Sequence, residues 1–386
     1  MFSQNILIIW MVVLTTIIAF IFNSKYFSFL DRKDDFSNKE INGLRFFLSI
    51  GVAYHHFIFS CNYSTGKGWS IANYDIITFL GKFSVGIFFI ISGYLFYNSV
   101  TSKTEWKSFF IKRFLRIVPM CTLSSIICLI IAVHKGWDNF SIGHEFYNIL
   151  YWLDGGLTNY RPDVSSFVNA GLINAGVTWT LVWEWMFYFS LPLLSLFIKD
   201  GNRLTFVIAL IAISYYILPK YDYNAATYAA LFSSGFLAKE LKTQWHNKII
   251  LNALPLALLT GMFLSGNLSF TLPMIPFMFI FFIISINKNS LFGILRSKGI
   301  VRLGEASYSI YLLHGIGWFI MNNTINTSNT NITIYLIISS VTLLITMIVS
   351  SLTYTFIEIP FMNLSKHINK NSLKSNSSLI KNEIPQ

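Results

Sequence analysis

The sequence predicts an all-α protein, a polytopic transmembrane helix bundle, on three observations. Hydrophobic residues make up 54% of the 386, charged ones only 12%, and mean hydropathy is +0.57 with 37 Phe. The core of a soluble domain of this length cannot hide so much apolar surface. Apolar runs long enough to span a bilayer recur along the chain, and Lys and Arg gather in alternate connections between them, the pattern of cytoplasmic loops.

The first run, 5–23, carries no charge. A cleaved signal peptide would have basic residues before its apolar stretch and a small-residue cleavage site after it, and neither is present, so the segment is expected to remain as a membrane anchor. Full-length runs follow at 41–60, 77–99, 117–134 and 178–198. Those at 204–218 and 224–239 are shorter than a full span, and the series ends with 249–265, 268–286, 304–321 and 332–357. Eleven helices result. No repeat of 20–50 residues and no repeated half with interrupted helices is visible.

Alternate connections and the tail hold 22 of the basic residues, among them Lys103, Lys107, Lys112, Arg113 and Arg116. The intervening connections hold only Lys67, Lys135, Arg161 and Lys220. That asymmetry places the N-terminus outside and the C-terminus in the cytoplasm. The net charge of +11 therefore reflects topology and contact with anionic membrane lipid, not nucleic acid. Cys121 and Cys128 lie roughly 10 Å apart along one helix, too far for a disulfide, and no metal-ligand spacing is present. Residues 1–39 read as the anchor helix with a cytoplasmic linker, 40–362 as the membrane domain, and 363–386, rich in Asn, Ser and Lys, as a disordered cytoplasmic tail.

Several polar residues interrupt the apolar runs. Arg45 and His56 share one face of the second helix, roughly 16 Å apart along its axis, while His55 points about 100° away. A cation and an imidazole inside a span are expected to face a polar cavity. Arg113 and Arg116 lie on one side of a helix at its cytoplasmic mouth, and guanidinium pairs suit bidentate phosphate binding. Glu184, roughly 9 Å inside the outer boundary, lies at the depth of His56, and a pair of the two would fix an imidazole tautomer. His314 shares a helix face with Ser307 and is either a second functional imidazole or a hydrogen-bonded packing residue. Glu358, at the cytoplasmic end of the last helix, is expected to pair with an arginine. Gly86 and Gly93 admit either a neighbouring helix or an extended pantetheine arm. The connection 135–177, with Trp137, Tyr147, Tyr151, Trp152 and Tyr160 among Asp138, Asp154 and Asp163, is either a sugar platform or interfacial anchoring.

Taken together, these runs resemble the acyltransferase type 3 family of membrane proteins, which includes O-acetyltransferases of bacterial surface polysaccharides. The resemblance covers about residues 40 to 362 and rests on ordered motifs: Gly43-Leu-Arg45 with His56, Gly86-Ile-Phe-Phe-Ile-Ile-Ser-Gly93-Tyr, Arg113-Phe-Leu-Arg116, Trp179-Thr-Leu-Val-Trp-Glu184 with Phe187-Tyr188, Ser307-Tyr308 through His314, and Glu358-Ile-Pro360. It implies a ten-helix acyltransferase core, here with one extra N-terminal helix, in a bacterial plasma (inner) membrane. It also implies transfer of an acyl group, usually acetyl from cytosolic acetyl-CoA, to a sugar hydroxyl at or beyond the outer face. The family's arginine and histidine of the first core helix map onto Arg45 and His56, its arginine pair onto Arg113 and Arg116. The extracytoplasmic hydrolase-like domain of some members is not seen, so an acceptor presented directly to the membrane domain, a surface or lipid-linked glycan, is expected.

On this reading Arg45, Arg113 and Arg116 hold the phosphates of acetyl-CoA. His56 is general base or acyl acceptor, Glu184 orients or balances its imidazole, and Ser307, Tyr308, His314 and Glu358 are further candidates. A transporter or flippase of a lipid-linked glycan is the competing class, and a sensor or scaffold leaves the buried charges unexplained.

Overall fold

The computed structural model describes residues 3–31, 38–71, 74–137, 141–198, 200–241, 245–267, 270–288, 290–325 and 330–365. The expected tail, after Ser365, and Asp138 lie outside the described residues. Helices follow one another as α1 (Gln4–Asn23), α2 (Lys39–Ser64), α3 (Asp75–Thr101), α4 (Trp106–Lys135), α5 (Ile142–Trp152), α6 (Trp179–Phe197), α7 (Arg203–Tyr216), α8 (Tyr223–Leu241), α9 (Lys248–Leu264), α10 (Ile275–Ser285), α11 (Lys298–Glu305), α12 (Ser307–Thr324) and α13 (Ile332–Thr353). No strand occurs among the described residues. Among the described residues seven helical segments, α1 to α4, α6, α7 with the turn after it (Arg203–Lys220), and α13 with its continuation (Ile332–Ser365), are long and apolar enough to cross a membrane, with shorter apolar helices at α9 and α10. The protein is a multi-pass membrane helix bundle. Its rim exposes large apolar side chains such as Ile9, Phe20, Ile130, Phe189 and Leu193, as a lipid-facing surface requires.

Helices occupy all eleven predicted runs, with four differences. Helix α4 starts at Trp106 rather than 117, because basic residues end an apolar run without ending a helix. The last predicted span before α13 is two helices that meet at Ala306. Helix α13 passes into a π-helical turn, Tyr354–Glu358, which turns the residues after it by the extra residue it holds. Finally, the connection 135–177 contains α5 and its own small core: Trp152 is fully buried and donates to the Pro162 carbonyl at 2.9 Å. Asp154 pairs with Arg161 at 2.9 Å, and Asp163 accepts from the Asn169 amide at 2.7 Å. Two of the carboxylates in the sugar-platform reading are thus consumed inside the loop.

Two apolar cores fill the bundle. One is built from α3, α4, α6, α8, α9 and α10, the other from α1, α2, α12 and α13, and α2 and α12 contribute to both. Close backbone approach sets their spacing. A Cβ at Gly93 would lie 2.1 Å from the Phe232 carbonyl oxygen, and one at Gly235 would lie 2.2 Å from that of Ile90, so α3 and α8 touch through glycine. Gly86 is closed off by Met278, 2.3 Å from its Cβ position. Both glycines of the α3 motif therefore pack helices, and neither faces an open groove. At the start of α2, Gly43 accommodates the Leu295 carbonyl 2.0 Å from its Cβ position, and Gly304 of α11 accommodates that of Asn42 at 1.9 Å.

Helix α1 is tied to this assembly by a buried cation. Arg302 of α11, 2% exposed, donates to both carboxylate oxygens of Asp31 at 2.7 and 2.8 Å. It also donates to the carbonyls of Phe22 and Ser24, at 2.8 and 2.7 Å, at the end of α1. These bonds hold the Asp31 carboxyl below its ordinary value. A depressed carboxylate contributes stability that is complete above its unfolded pKa of about 3.9 and is lost as pH falls through the folded value. Asp31→Asn is expected to cost about 1 kcal/mol near neutral pH, allowing for the exposure of Asp31. Its melting midpoint in detergent should fall below that of the native chain at pH 7 and converge with it in acid; a gap that persists in acid would contradict this.

Candidate active site

Two cavities lie on the walls that α2 and α12 share with α3 and α6. The first, of about 180 Å³, is lined by Arg45 of α2, Arg113 and Arg116 of α4, Glu184 and Tyr188 of α6, and Ser307, Tyr308 and Tyr311 of α12, with Val85, Phe88, Ser92 and Phe96 of α3. The second, of about 380 Å³, is lined by His55 and His56 of α2, Lys82 and Val85 of α3, Trp179, Tyr223, Asn224, Tyr228, Phe270, Thr271 and Tyr311. Val85 and Tyr311 line both. The Tyr311 hydroxyl is pinned, 2.9 Å from Thr180 Oγ1 and 3.1 Å from the Val177 carbonyl, so its ring is a fixed partition between them.

The arginine cavity is built by helix starts and ends. Arg45 stands one turn inside α2, whose first turn is held by Asn42 Nδ2 donating to Glu305 at 2.6 Å. The Tyr354 hydroxyl donates to the other oxygen of Glu305 at 3.1 Å. Arg116 forms an ion pair with Glu358, which also accepts from Ser309. Tyr308 lies under the Arg116 guanidinium, 5.7 Å from its ring centroid, and donates to the Ile117 carbonyl at 2.9 Å. Arg113 lies 4.8 Å from the ring centroid of Phe96. Tyr188 donates to Glu184, one turn away on α6, and Thr180, Glu184 and Tyr188 repeat every four residues to give α6 one polar face toward the cavity.

Three guanidiniums, of Arg45, Arg113 and Arg116, stand among three carboxylates, of Glu184, Glu305 and Glu358. Arg45 has no ion-pair partner among the described residues. Arg113 Nε and Ser307 Oγ are buried without a hydrogen-bond partner. Unmet donors beside three guanidiniums in an apolar bundle suit an anion whose oxygens accept from several sides.

His56, in the wall of the histidine cavity, is one of an imidazole pair. His56 Nδ1 lies 2.8 Å from His314 Nε2, and the two rings are 5.1 Å apart between centroids at 17°. Trp69 covers His56 at 6.3 Å and 25°. His55, by contrast, is set into the α2–α3 contact: its ring fills the space left by Gly81, 2.2 Å from the Cβ position, and its Nδ1 donates to the Ile77 carbonyl at 3.0 Å.

The structure thus brings Arg45, Arg113, Arg116, Glu184, Ser307 and Tyr308 into one cavity and His56 beside His314 at the other. Glu184 does not pair with His56, contrary to expectation. Helix α6 meets Tyr311 at Thr180, so Glu184, one turn further, falls on the arginine side of the partition, and α6 packs on α3 and α4, where Phe110 and Phe189 stack at 5.6 Å and Phe109 meets Tyr188 at 5.9 Å. Tyr188 joins the cavity through its four-residue offset from Glu184, the sequence signal of a shared helix face. Tyr311, Val85, Trp69 and Lys82 carried no distinguishing signal in sequence.

A family model described as an acyltransferase domain matches residues 38–351. Among curated proteins, Nodulation protein 10 of Rhizobium leguminosarum bv. viciae is 29% identical over 181 residues, 42% of this chain and 48% of that protein. The chain therefore aligns with about half the length of this relative. No solved structure matches it.

Breaking the Arg116–Glu358 pair from one side leaves a buried guanidinium uncompensated, at a cost on the order of 3–5 kcal/mol. Glu358→Gln should therefore lower the thermal midpoint of the detergent-solubilised protein, and adding Arg116→Met should restore part of the loss. An unchanged midpoint in the single variant would show that the pair is not buried as described.

Proposed function

The chain belongs to the acyltransferase family whose domain model it matches over most of its length, and from that premise we propose the donor, the acceptor and the route between them. The protein takes an acyl group, acetyl in our reading, from cytosolic acyl-CoA and delivers it to a hydroxyl of a surface or lipid-linked glycan. The single observation that carries this reading is the pair of cavities that share Val85 and Tyr311, one lined by three arginines and the other by His56.

In this reading the coenzyme phosphates bind Arg45, Arg113 and Arg116, whose planar forks donate to phosphate oxygens in bidentate fashion. The pantetheine arm runs along Ser92, Phe88 and Thr180 toward the partition. The thioester then reaches His56, roughly 16 Å from Arg45 along α2. Glu184 and Tyr188 act at the donor end, setting the charge and orientation of the guanidiniums. At the histidine end, Trp179, Tyr228 and Phe270 offer aromatic faces to a sugar ring, and Asn224, Thr271 and Lys82 offer polar partners.

His56 takes the proton of the acceptor hydroxyl as that oxygen attacks the thioester carbon, or accepts the acyl group and passes it on. The excess of basic residues in alternate connections supports a cytoplasmic arginine end and an external histidine end, in a bacterial inner membrane. A cytosolic donor and an outer acceptor then meet across the partition without either crossing the membrane.

Purified protein in nanodiscs separates the two ends. Arg113→Ala should weaken acetyl-CoA binding, with Arg113→Lys rescuing only partly. His56→Ala should keep donor affinity and lower transfer to membrane glycans by about 10²- to 10⁴-fold, while His55→Ala keeps most of it. Normal donor affinity in Arg113→Ala together with full transfer in His56→Ala would remove both assignments.

A further inference from the structure

The hydrogen bonds around His314 decide which nitrogen of His56 can react. His314 is 1% exposed, and its Nδ1 lies 3.1 Å from the Ile310 carbonyl oxygen, one turn back on α12. A carbonyl only accepts, so Nδ1 carries the hydrogen. A neutral imidazole has one N–H, and His314 Nε2 is therefore an acceptor. It stands 2.8 Å from His56 Nδ1, so that nitrogen must be the donor. The lone pair of His56 is left on Nε2, which makes no hydrogen bond among the described residues, in a side chain that lines the histidine cavity. The other arrangement requires His314 to hold a proton on both nitrogens. That cation would be fully inside the bundle with no carboxylate paired to it among the described residues, which apolar surroundings strongly disfavour.

The pair is held in register from both sides. Trp318, one turn beyond His314, donates to the Ala53 carbonyl at 2.8 Å, and Asn322 donates to Ser60 Oγ at 2.7 Å. Together with the imidazole contact they lock three successive turns of α12 onto α2.

We propose that His314 is a positioning residue that holds His56 in the Nδ1–H tautomer and aims its Nε2 lone pair at the reacting groups. The assignment rests on the acyl-transfer reading above. In the transfer, the acceptor O–H proton moves to His56 Nε2 while the oxygen bonds to the thioester carbonyl carbon. The C–S bond breaks, and the leaving thiolate takes the proton back from Nε2, so that ester and free coenzyme thiol result. If His56 carries the acyl group instead, the same Nε2 lone pair attacks the thioester carbon and the coenzyme leaves as thiolate; the acceptor oxygen then displaces the acyl group from Nε2 and its proton passes to that thiolate. Either way Nδ1–H must point away from the thioester, and His314 Nε2 is what receives it.

Two substitutions separate positioning from packing. The amide of Gln can accept from His56 Nδ1–H through its oxygen and donate to the Ile310 carbonyl through its nitrogen, whereas Leu fills similar space and does neither. Full-length protein in host membranes is supplied with labelled acetyl-CoA, and acetyl incorporation into the membranes' own glycans gives kcat and KM for the donor. His314→Gln should retain kcat within about tenfold and His314→Leu should lose about 10²-fold, both with KM for acetyl-CoA little changed.

Nitrogen-15 NMR of ring-labelled histidines, with His56 assigned by its loss in His56→Ala, should show His56 protonated on Nδ1 in the native chain and in His314→Gln, with that preference lost in His314→Leu. A native His56 protonated on Nε2, or a His314→Gln variant as impaired as His314→Leu, would overturn the proposal. The native tautomer intact but with no acetyl transfer would support the positioning and count against the acyl-transfer reading.

Discussion

A guanidinium inside an apolar helix bundle persists only where an anion, a set of carbonyls or a polar cavity receives it, and the architecture follows from how each one is received. Arg302 is met by Asp31 and two carbonyls at the end of α1, which makes the N-terminal helix part of the bundle. Arg116 is met by Glu358, which the π-helical turn after α13 carries to it. The break at Ala306 leaves Glu305 bonded to Asn42 while Ser307 and Tyr308 line the arginine cavity. Arg45 and Arg113 face that cavity too, with no ion-pair partner among the described residues.

The second constraint is steric. Helices α2 and α12 are common to both apolar cores and must also carry the polar residues, so they approach their neighbours through small side chains and backbone. Gly43 and Gly304 draw α2 against α11 and the segment before it, and Gly81 admits the His55 ring. The same α2 thereby presents Arg45 to one cavity and His56 to the other, with Val85 and Tyr311 between.

Much of this was legible in the sequence because membrane helices are selected by local properties. Apolar length and the spacing of basic residues located all eleven segments, and the three arginines could be placed at one end from register alone. What register lacks is azimuth and neighbourhood. Glu184 is expected at the depth of His56, yet α6 delivers it to Tyr188 and the arginines, on the other side of Tyr311 from His56. His314, 258 residues away in sequence but adjacent in space, supplies the contact that His56 makes. The π-helical turn and the break at Ala306 answer to partners brought by other helices, Arg116 and Asn42, and no local pattern announces them. Helix α5 and the buried Trp152 were hidden because a loop rich in aromatics and acids reads the same whether those groups face outward or satisfy one another.

The central claim is that one donor molecule spans the two cavities. A cryo-EM structure of the full chain in a nanodisc with a non-hydrolysable thioether analogue of acetyl-CoA tests it most directly. The account predicts phosphate density among Arg45, Arg113 and Arg116 and the acyl end between Val85 and Tyr311, facing His56. Phosphates bound at the histidine end, or an acyl end directed away from the partition, would contradict it.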